Sequence, residues 1–541
     1  MKMGKATSLL LLSTMTTILI SGCASDKAED KPAASNGATP ATIASQGPVT
    51  IDYLAHNSYA QIADGANNPI QKLVEQKFNA KFNIWYLDAQ NREESLNVKL
   101  ASGEMPDIMS VVGTLKKLID QNVAAPIDEA LVRKYAPTYA KFIDDNYKQA
   151  WDFGKYNGKL YALPSTNINS SYPTAVIWRD DWLKKVGITK MPETIQEVEQ
   201  ALTKFRNDDP DGNGKKDTYG MSDFAIPAIM GAFGRPAWDD IKAGVKEPVK
   251  AVVPMIKDGK VVVAGIQPEM KDALALLQKW YKAGLIDPEF LTSENTTGYW
   301  ANSQAFFNNR IGLTGKGLFA HWRNEVDPSN PNDQGGGQFI EFKKSQPNGT
   351  YAFGSAPVGP QGKSGTPQWQ SFSNSILFTT KGVKDPRKVE TLLRMIETNY
   401  ADNDYWLTIT QGIKDKDWKV DNGNFMNLDG DTKTPAEVKG RFIFNVGQSP
   451  DNWMKKKDTF LYKYADKTKV KGYEPVPMPS VDAFSKNANT LGKMEVEAYI
   501  KIITGESSVD SFDDFVSKFR SSGGDQVERE WTDAYNKMLG K

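Results

Sequence analysis

The chain has 541 residues, and its 66 Lys and Arg side chains are balanced by 66 Asp and Glu side chains. This length exceeds what one hydrophobic core usually serves, so we expect two or more lobes. Because positive and negative charges balance, the protein has no net positive potential that would attract a polyanion, which argues against nucleic acid as a partner. One cysteine and two histidines leave no disulfide, no cysteine-rich metal site and little basis for a histidine-dependent hydrolase.

The N-terminus has the pattern of an export signal. Lys2 and Lys5 give a positive start, and residues 8–20 are apolar apart from Ser and Thr, a stretch too short for a lasting membrane span. Ile20-Ser21-Gly22-Cys23 follows and resembles a lipobox, in which the chain is cut before a cysteine that becomes diacylated. We predict a signal peptide over 1–22 and a lipid on Cys23, which places the protein on the extracytoplasmic face of a bacterial membrane. The alternative is an ordinary secretory peptide with a chance cysteine.

The sequence after the signal peptide indicates a flexible linker, which we call the tether, followed by strands of a sheet. Residues 23–47 are Ala, Ser, Gly, Pro and charge with almost no apolar bulk, which predicts a flexible linker. Apolar side chains alternate over 49–53 and again over 82–86, and a helix opening at Pro69 lies between them. This β-α-β pattern predicts a parallel sheet. The same alternation continues with a predicted helix near 92–102 and a predicted short buried strand over 106–112.

Later segments continue the alternation of strands and helices. Thr194 and Glu197 form a capping box that starts a helix over about 195–206. Residues 268–283 predict another helix, closed by Gly284, and Pro386 lies early in a third. Alternation over this length predicts an α/β architecture of two doubly wound lobes.

The sharpest chemical motif is a loop suited to a cation, Asp209-Pro210-Asp211-Gly212-Asn213-Gly214-Lys215-Lys216-Asp217. Oxygen-bearing side chains at alternate positions, a glycine for the turn and a later carboxylate suit calcium, with Lys215 contributing its carbonyl. Because the loop follows a helix, its expected role is structural. The usual closing Glu is replaced by Gly220, so Thr218 or a remote carboxylate has to complete the site. The alternative is a polar turn without an ion.

Five segments carry a family resemblance: GEMPDI at 103–108, YNGKLYALP at 156–164, VIWRDDWL at 176–183, PET at 192–194 and YIKIITG at 499–505. In this order and spacing they resemble the extracellular solute-binding lipoproteins of bacterial ABC importers. The resembling branch contains the maltose-binding and alginate-oligosaccharide-binding proteins. The resemblance extends over nearly all of the chain after the signal.

This resemblance implies a two-lobed, type II periplasmic-binding-protein-like α/β fold with ligand in the cleft between the lobes. Lobe 1 is expected over 48–163 and 370–412, and lobe 2 over 164–369 and 413–541. The implied protein is a lipid-anchored monomer, not an enzyme, that captures an oligosaccharide and delivers it to an ABC importer. The larger relatives carry a calcium loop after the equivalent helix. The corresponding positions are Asp209, Asp211, Asn213, Lys215 and Asp217, and Thr218 stands where the relatives have a second acidic residue.

Five aromatic residues are candidate ligand contacts, because a flat ring can cover the C–H face of a sugar. Trp322 corresponds to the place where sugar-binding relatives have a stacking aromatic. Trp369 precedes the strand that returns to lobe 1. Phe233 and Trp238 lie in a Gly/Pro-rich loop after the metal motif, and Tyr172 lies at the polar crossover near 167–171. The alternative for each is packing in a core.

Three polar residues are further candidates. His56 and Asn57 follow the first strand, at the carboxyl end where open α/β sheets bind ligands. Asp107 follows Pro106 and is a candidate for binding a sugar hydroxyl or for capping local backbone amides. Other functions stay open on the sequence alone. They are an exported calcium-bound glycosidase or polysaccharide lyase, a sensor on the same fold, and a binder of a non-sugar solute such as a peptide.

Overall fold

In the computed structural model the chain is described over residues 47–538, apart from 90, 168–169, 171, 237–240, 293–302, 329, 331, 422–423, 432, 447–456, 466–467 and 469. The predicted signal peptide, Cys23 and the tether up to residue 46 lie outside the described residues. Within the described part of the chain, no helix combines the length and the apolar character that crossing a membrane requires.

The strands supply two main sheets and several small pairs. They are β1 Val49–Leu54, β2 Ala80–Ile84, β3 Ile108–Met109, β4 Lys155–Tyr156, β5 Lys159–Leu160, β6 Ala162–Thr166, β7 Val176–Arg179, β8 Tyr219–Met221, β9 Pro254–Lys257, β10 Lys260–Val263, β11 Ile311–Thr314, β12 Tyr351–Gly354, β13 Thr366–Pro367, β14 Phe372–Phe378, β15 Trp418–Asp421, β16 Asn424–Asn427 and β17 Gly472–Tyr473.

The helices surround these sheets. They are α1 Pro69–Phe78, α2 Arg92–Ala101, α3 Leu115–Asp120, α4 Glu129–Tyr135, α5 Pro137–Asn146, α6 Ala150–Phe153, α7 Asp180–Lys185, α8 Ile195–Asn207, α9 Ile226–Gly231, α10 Ile241–Lys246, α11 Pro268–Lys282, α12 Gln304–Phe307, α13 Gly337–Ser345, α14 Pro386–Ala401, α15 Asn403–Gln411, α16 Thr459–Ala465, α17 Asp482–Thr504, α18 Ser511–Phe519 and α19 Asp525–Met538.

The sheet of lobe 1 has the strand order β2-β1-β3-β14-β6. β1 runs parallel to β2 and β3, whereas β14 runs antiparallel to β3 and β6. The predicted β-α-β opening is confirmed, since α1 connects two parallel neighbours. The Asn68 side chain starts α1 by accepting the Ile70 N–H at 3.0 Å. The strand expected over 106–112 is limited to Ile108 and Met109.

The core of lobe 1 joins distant parts of the chain. Ile51 and Ile396 are buried together with Ile443 and Phe444. The Tyr53 hydroxyl donates to the Ile443 carbonyl oxygen at 3.0 Å. The expected boundary after residue 412 is therefore wrong, because the chain stays in lobe 1 up to Val446. This segment has no regular apolar period that could have assigned it to one lobe from the sequence.

The sheet of lobe 2 has the order β12-β7-β11-β8. β11 runs parallel to β8 and antiparallel to β7, which also runs antiparallel to β12. α8, α11 and α17 bury one face each in a shared core. The predicted capping box of α8 is confirmed. Thr194 Oγ1 accepts the Glu197 N–H at 3.2 Å, and the Glu197 carboxylate accepts the Thr194 N–H at 3.0 Å.

Two crossovers lie side by side, one between β6 and β7 and one at 367–371. The chain passes from lobe 1 to lobe 2 once more between Val446 and α16, across residues that lie outside the described part. The Asn167 N–H donates to the Ser371 carbonyl oxygen at 2.9 Å, and the Thr174 N–H donates to the Pro367 carbonyl oxygen at 2.9 Å. These bonds tie one crossover to the other, and each lobe has its own core.

Candidate functional site

In each sheet, the carboxyl ends of most strands lie at the edge where the first crossover is attached. The carboxyl ends of β1, β2, β3 and β6 lie at one edge of the lobe 1 sheet, because β14 is antiparallel to both β3 and β6. In lobe 2, β7 begins at the edge where β8, β11 and β12 end. The first crossover joins β6 to β7 and thus links these edges. Ligands of open α/β sheets bind outside such carboxyl ends, so the groove between the edges is the candidate site.

A group of aromatic side chains lies where the crossovers meet lobe 2. We call Tyr172, Phe319, Trp369 and Tyr462 the crossover aromatic cluster. The ring centroid of Tyr172 lies 4.6 Å from that of Phe319 and 5.8 Å from that of Tyr462. Trp369 packs against the same small core. Tyr172 and Trp369 are both half-buried, so the structure brings two of the predicted ligand aromatics together with part of each side chain exposed.

A cavity of about 260 Å³ opens beside this cluster, lined by Arg235, Gln368, Trp369, Gln370 and Tyr473 among others. Arg235 and Tyr473 also line a neighbouring cavity of about 330 Å³. The Tyr473 hydroxyl donates to the Gly231 carbonyl oxygen at 2.8 Å, and Arg235 donates to the Glu474 carbonyl oxygen at 2.5 Å. Aromatic faces beside amide and guanidinium donors suit a ligand with apolar faces and many hydroxyls.

Arg235 and Tyr473 were not predicted from the sequence as lining residues. Tyr473 belongs to the short strand β17, which pairs with β13 next to the second crossover. Only this long-range pairing brings position 473 to the cavity. Arg235 follows Phe233 in the Gly/Pro-rich loop, which was the one available signal in the sequence.

The far end of the lobe 1 edge carries polar groups after β1 and β2. His56 is exposed and Asn57 is half-buried at the end of β1, roughly 14 Å from β6 at the usual strand spacing. Although the His56 ring reaches solvent, surrounding protein lowers its pKa by desolvation, and Arg92 lowers it further. Both effects favour the neutral ring. The half-buried Arg92, at the start of α2, is a further polar group that was not predicted from the sequence.

The position of Trp322 contradicts its prediction as a ligand-stacking aromatic. Its side chain is 0% exposed, and its indole N–H donates to the Lys316 carbonyl oxygen at 2.6 Å. Phe306 and Tyr351 pack against it edge-on, with ring centroids at 5.7 and 5.4 Å. Trp322 therefore belongs to the lobe 2 core and offers no face to a ligand.

Asp107 is also a structural residue. It is 0% exposed, and its carboxylate accepts the Asp52 N–H at 2.8 Å and lies 2.6 Å from Lys388 Nζ. The carboxylate thus holds the neighbouring strand β1 and Lys388 instead of local backbone amides, and the buried side chain cannot make the expected sugar contact. Phe233 is half-buried against the lobe 2 core. Trp238 lies outside the described residues.

The predicted calcium loop folds with its carboxylates directed toward one another. Asp209 accepts the N–H groups of Gly212 at 3.1 Å and Gly214 at 3.0 Å, an arrangement that fixes the turn. The Asn213 amide lies 2.7 Å from an Asp211 carboxylate oxygen and 3.2 Å from one of Asp217. The Asn213 backbone N–H also donates to Asp209 at 3.2 Å, so three acidic side chains converge on Asn213. Among the described residues, no cation forms an ion pair with them.

The electrostatics of this loop reflect that convergence. Backbone N–H groups, first that of Gly214, lower the pKa of Asp209. Desolvation and the neighbouring Asp209 raise the pKa of Asp211. Thr218 does not complete a ligand set, since its hydroxyl is buried and donates to the Phe205 carbonyl oxygen at 2.7 Å. Within the described residues, no group of three or more His, Cys, Asp or Glu side chains has metal-holding geometry, so the carboxylates would have to draw inward around an ion.

Comparison with known proteins identifies relatives of this chain. The model of the family described as bacterial extracellular solute-binding protein matches residues 59–417. Lipoprotein LipO of Bacillus subtilis (strain 168) is 24% identical over 476 residues, which are 86% of this chain and 89% of LipO. The polygalacturonan/rhamnogalacturonan-binding protein YtcQ of the same organism is 22% identical over 498 residues, 86% of this chain and 87% of YtcQ.

A solved structure confirms the fold. The crystal structure of alginate-binding protein AlgQ2 without calcium ion superimposes with a TM-score of 0.68 at 19% identity, covering 92% of this chain and 100% of AlgQ2. The predicted two-lobed, type II periplasmic-binding-protein-like fold is thereby confirmed.

Proposed function

This chain belongs to the bacterial extracellular solute-binding proteins, and on that premise we propose that it captures an oligosaccharide in the groove between its lobes and delivers it to an ABC importer. The observation that carries the proposal is the crossover aromatic cluster, with Tyr172 and Trp369 half-exposed beside a cavity lined by amide and guanidinium groups. YtcQ, a polygalacturonan/rhamnogalacturonan-binding protein, and AlgQ2, an alginate-binding protein, support a sugar as the ligand class.

In this proposal the groove holds the ligand without altering it. Trp369 and Tyr172 cover the C–H faces of sugar rings, and Gln368, Gln370 and Arg235 bond the hydroxyls. His56 and Asn57 contact the other end of a longer chain. Bending at the paired crossovers closes the lobes around the ligand, and the importer binds the closed form. The groove needs no nucleophile or general acid for this task, and the ligand leaves as it entered.

We further propose that the loop at 209–217 binds calcium. Asp209, Asp211, Asn213 and Asp217 supply side-chain oxygens, and Lys215 supplies its carbonyl. The convergence of three carboxylates with a raised pKa at Asp211 supports a cation there, because the ion would remove their mutual repulsion. The ion would fix the turn after α8, away from the ligand. The AlgQ2 crystal structure is that of a form without calcium ion, which is consistent with such a site in a relative.

The proposed location follows from the leader sequence. We infer that Cys23 carries a lipid and that the tether over 23–47 holds a monomer at the extracytoplasmic face of the membrane. The importer's permease subunits are the expected protein partners there. Mass spectrometry of membrane-extracted protein would show a diacylated N-terminal Cys23, and Cys23→Ser would release the protein from the membrane fraction.

Thermal denaturation against a panel of oligosaccharides tests the main proposal. The panel contains oligogalacturonides, alginate oligosaccharides and malto-oligosaccharides, and we expect at least one to raise the Tm by mass action. Trp369→Ala should weaken binding, whereas Tyr281→Ala, which removes a partly buried ring packed on the lobe 2 core, should leave affinity unchanged. New reducing ends or unsaturated products after incubation would favour the glycosidase or lyase alternative. A panel without any binder would contradict the proposal.

A further inference from the structure

We propose that Tyr59 is a further sugar-stacking residue, at the lobe 1 side of the groove, and that it makes the affinity depend on the length of the oligosaccharide. Tyr59 is 42% exposed, and its hydroxyl donates to a Glu437 carboxylate oxygen at 2.7 Å. Among the aromatic side chains of the described residues, no other is as exposed. The proposal rests on the proposed function, because it takes a sugar chain as the ligand.

Hydrogen bonds place Tyr59 on the carboxyl edge of the lobe 1 sheet, five residues after β1 ends. Just before it, the Ser58 carbonyl oxygen accepts the Leu87 N–H at 3.0 Å, and just after it the Ile62 N–H donates to the Tyr86 hydroxyl at 3.1 Å. Positions 86 and 87 directly follow β2, the parallel neighbour of β1. The turn that carries Tyr59 therefore lies at the shared carboxyl end of two strands, on the edge that borders the groove, and not on a face of the sheet.

The Tyr59 ring is held at its hydroxyl end by a segment that is distant in the sequence. The acceptor, Glu437, precedes Val438, whose carbonyl oxygen accepts the Ala63 N–H at 2.8 Å. Because the ring and its acceptor are both anchored in lobe 1, the ring has one fixed orientation before a ligand arrives. An aromatic side chain that is already ordered loses little entropy when a sugar stacks on it.

Two cations fix the segment that carries Glu437. Lys439 Nζ lies 2.6 Å from an Asp429 carboxylate oxygen, and Arg441 Nη2 lies 2.7 Å from the same oxygen. All three of these side chains are less than one fifth exposed, so solvent screens the ion pairs less than it screens pairs on the open surface. The segment is thereby kept on lobe 1, with Glu437 within reach of the ring.

Polar groups suited to sugar hydroxyls surround the Tyr59 ring. His56 is exposed, and the half-buried Asn57 accepts the Tyr59 N–H on its carbonyl oxygen at 2.9 Å. Arg92 is close enough to His56 and Tyr59 to act on both electrostatically. The Glu437 carboxylate has a second oxygen that can accept a hydroxyl. An aromatic face with donors and acceptors at its rim matches the apolar faces and polar rim of a pyranose.

The distance between the two aromatic surfaces predicts the dependence on length. The crossover aromatic cluster lies where the first crossover leaves β6, and β1 is roughly 14 Å from β6 at the usual strand spacing. A short oligosaccharide held by Trp369 does not reach Tyr59, whereas a longer one contacts both rings. The second contact is then made by a ligand that is already bound, so affinity should rise with chain length.

Calorimetry with oligogalacturonides, alginate oligosaccharides and malto-oligosaccharides, each from disaccharide to hexasaccharide, tests the proposal. Tyr59→Ala should weaken binding of the hexasaccharide about five- to tenfold and leave the affinity for the shortest binding member unchanged. Tyr59→Phe keeps the stacking face and loses only the bond to Glu437, so it should lose less affinity. The Tm of both variants should stay near that of the wild type, because the side chain is exposed.

A matched control is another tyrosine of lobe 1. Tyr135, at the end of α4, is half-buried with the Arg394 guanidinium 5.2 Å from its ring centre, and Tyr135→Ala should leave the affinity unchanged at every length. An equal loss at all lengths in Tyr59→Ala would show a structural role and overturn the proposal. So would a wild-type affinity that does not rise with length, or Tyr59→Ala binding like the wild type. These outcomes leave the proposed function standing, whereas a wild type that binds no sugar overturns both.

Discussion

Two tryptophans that look alike in the sequence have opposite environments in the fold. Trp322 is enclosed by Phe306, Phe307 and Tyr351, and its N–H is satisfied by backbone. Trp369 keeps part of its indole exposed beside the cavity. Neither local sequence nor composition distinguishes them, because burial of a ring depends on which helices and strands pack over it.

Substitution should separate these two roles. Trp322→Ala removes a fully buried ring and should lower the free energy of unfolding by about 3–5 kcal/mol, as measured in urea. Trp369→Ala should cost about 1 kcal/mol of stability but weaken oligosaccharide binding about tenfold in calorimetry. Equal losses of stability in both variants would contradict the assignment.

His321 should make stability depend on pH. Its Nδ1 accepts the Leu318 N–H at 2.9 Å, which requires the neutral ring, and burial lowers its pKa to about 4. Between pH 6.5 and 4 the unfolded chain binds a proton that the native state does not. The His321 contribution is therefore complete above pH 6.5 and is lost as pH falls to 4, by about 3 kcal/mol.

Urea unfolding over this pH range measures the effect. In His321→Asn an amide oxygen can accept the same N–H without titrating, so this variant should lose the His321 part of the slope. An identical pH profile for the two proteins would show that another group is responsible.

Individual elements were more predictable than the site they build. α1, α8, α11 and α14 begin at caps or prolines that are visible in the sequence, because capping acts between residues a few positions apart. The assignment of residues 413–446 to lobe 1, and the structural role of Asp107, depend on contacts with residues hundreds of positions away. Lys388, for example, lies 281 positions from Asp107. No local pattern encodes such contacts.

The loop at 209–217 should couple α8 to calcium. Adding Ca²⁺ to metal-free protein should raise the Tm and EDTA should reverse the rise, because the ion binds the folded loop. Asp211→Asn should reduce the response. Asp431→Asn is the matched control, since Asp431 lies in another acidic turn but already has Lys439 at 3.4 Å. A Tm unaffected by Ca²⁺ would favour a turn without an ion.

In the described part of the chain the molecule has two separately packed lobes, and two of the segments that join them are bonded to each other. Closure should therefore change the shape of the molecule without changing its secondary structure. Small-angle scattering should show a smaller radius of gyration when a binding oligosaccharide is saturating, while far-UV circular dichroism stays the same. A radius that does not change with ligand would argue that the groove is rigid.

The bond between Tyr53 and Ile443 has a consequence for secretion. These partners lie 390 positions apart, so the first lobe to leave the membrane cannot be finished until nearly the whole polypeptide has followed. Until the segment around Ile443 is available to pack against them, the N-terminal strands expose apolar surface. Prematurely terminated products ending before about residue 440 should accordingly be degraded by cell-envelope proteases, whereas shortening the tether that we predict over 23–47 should leave maturation intact.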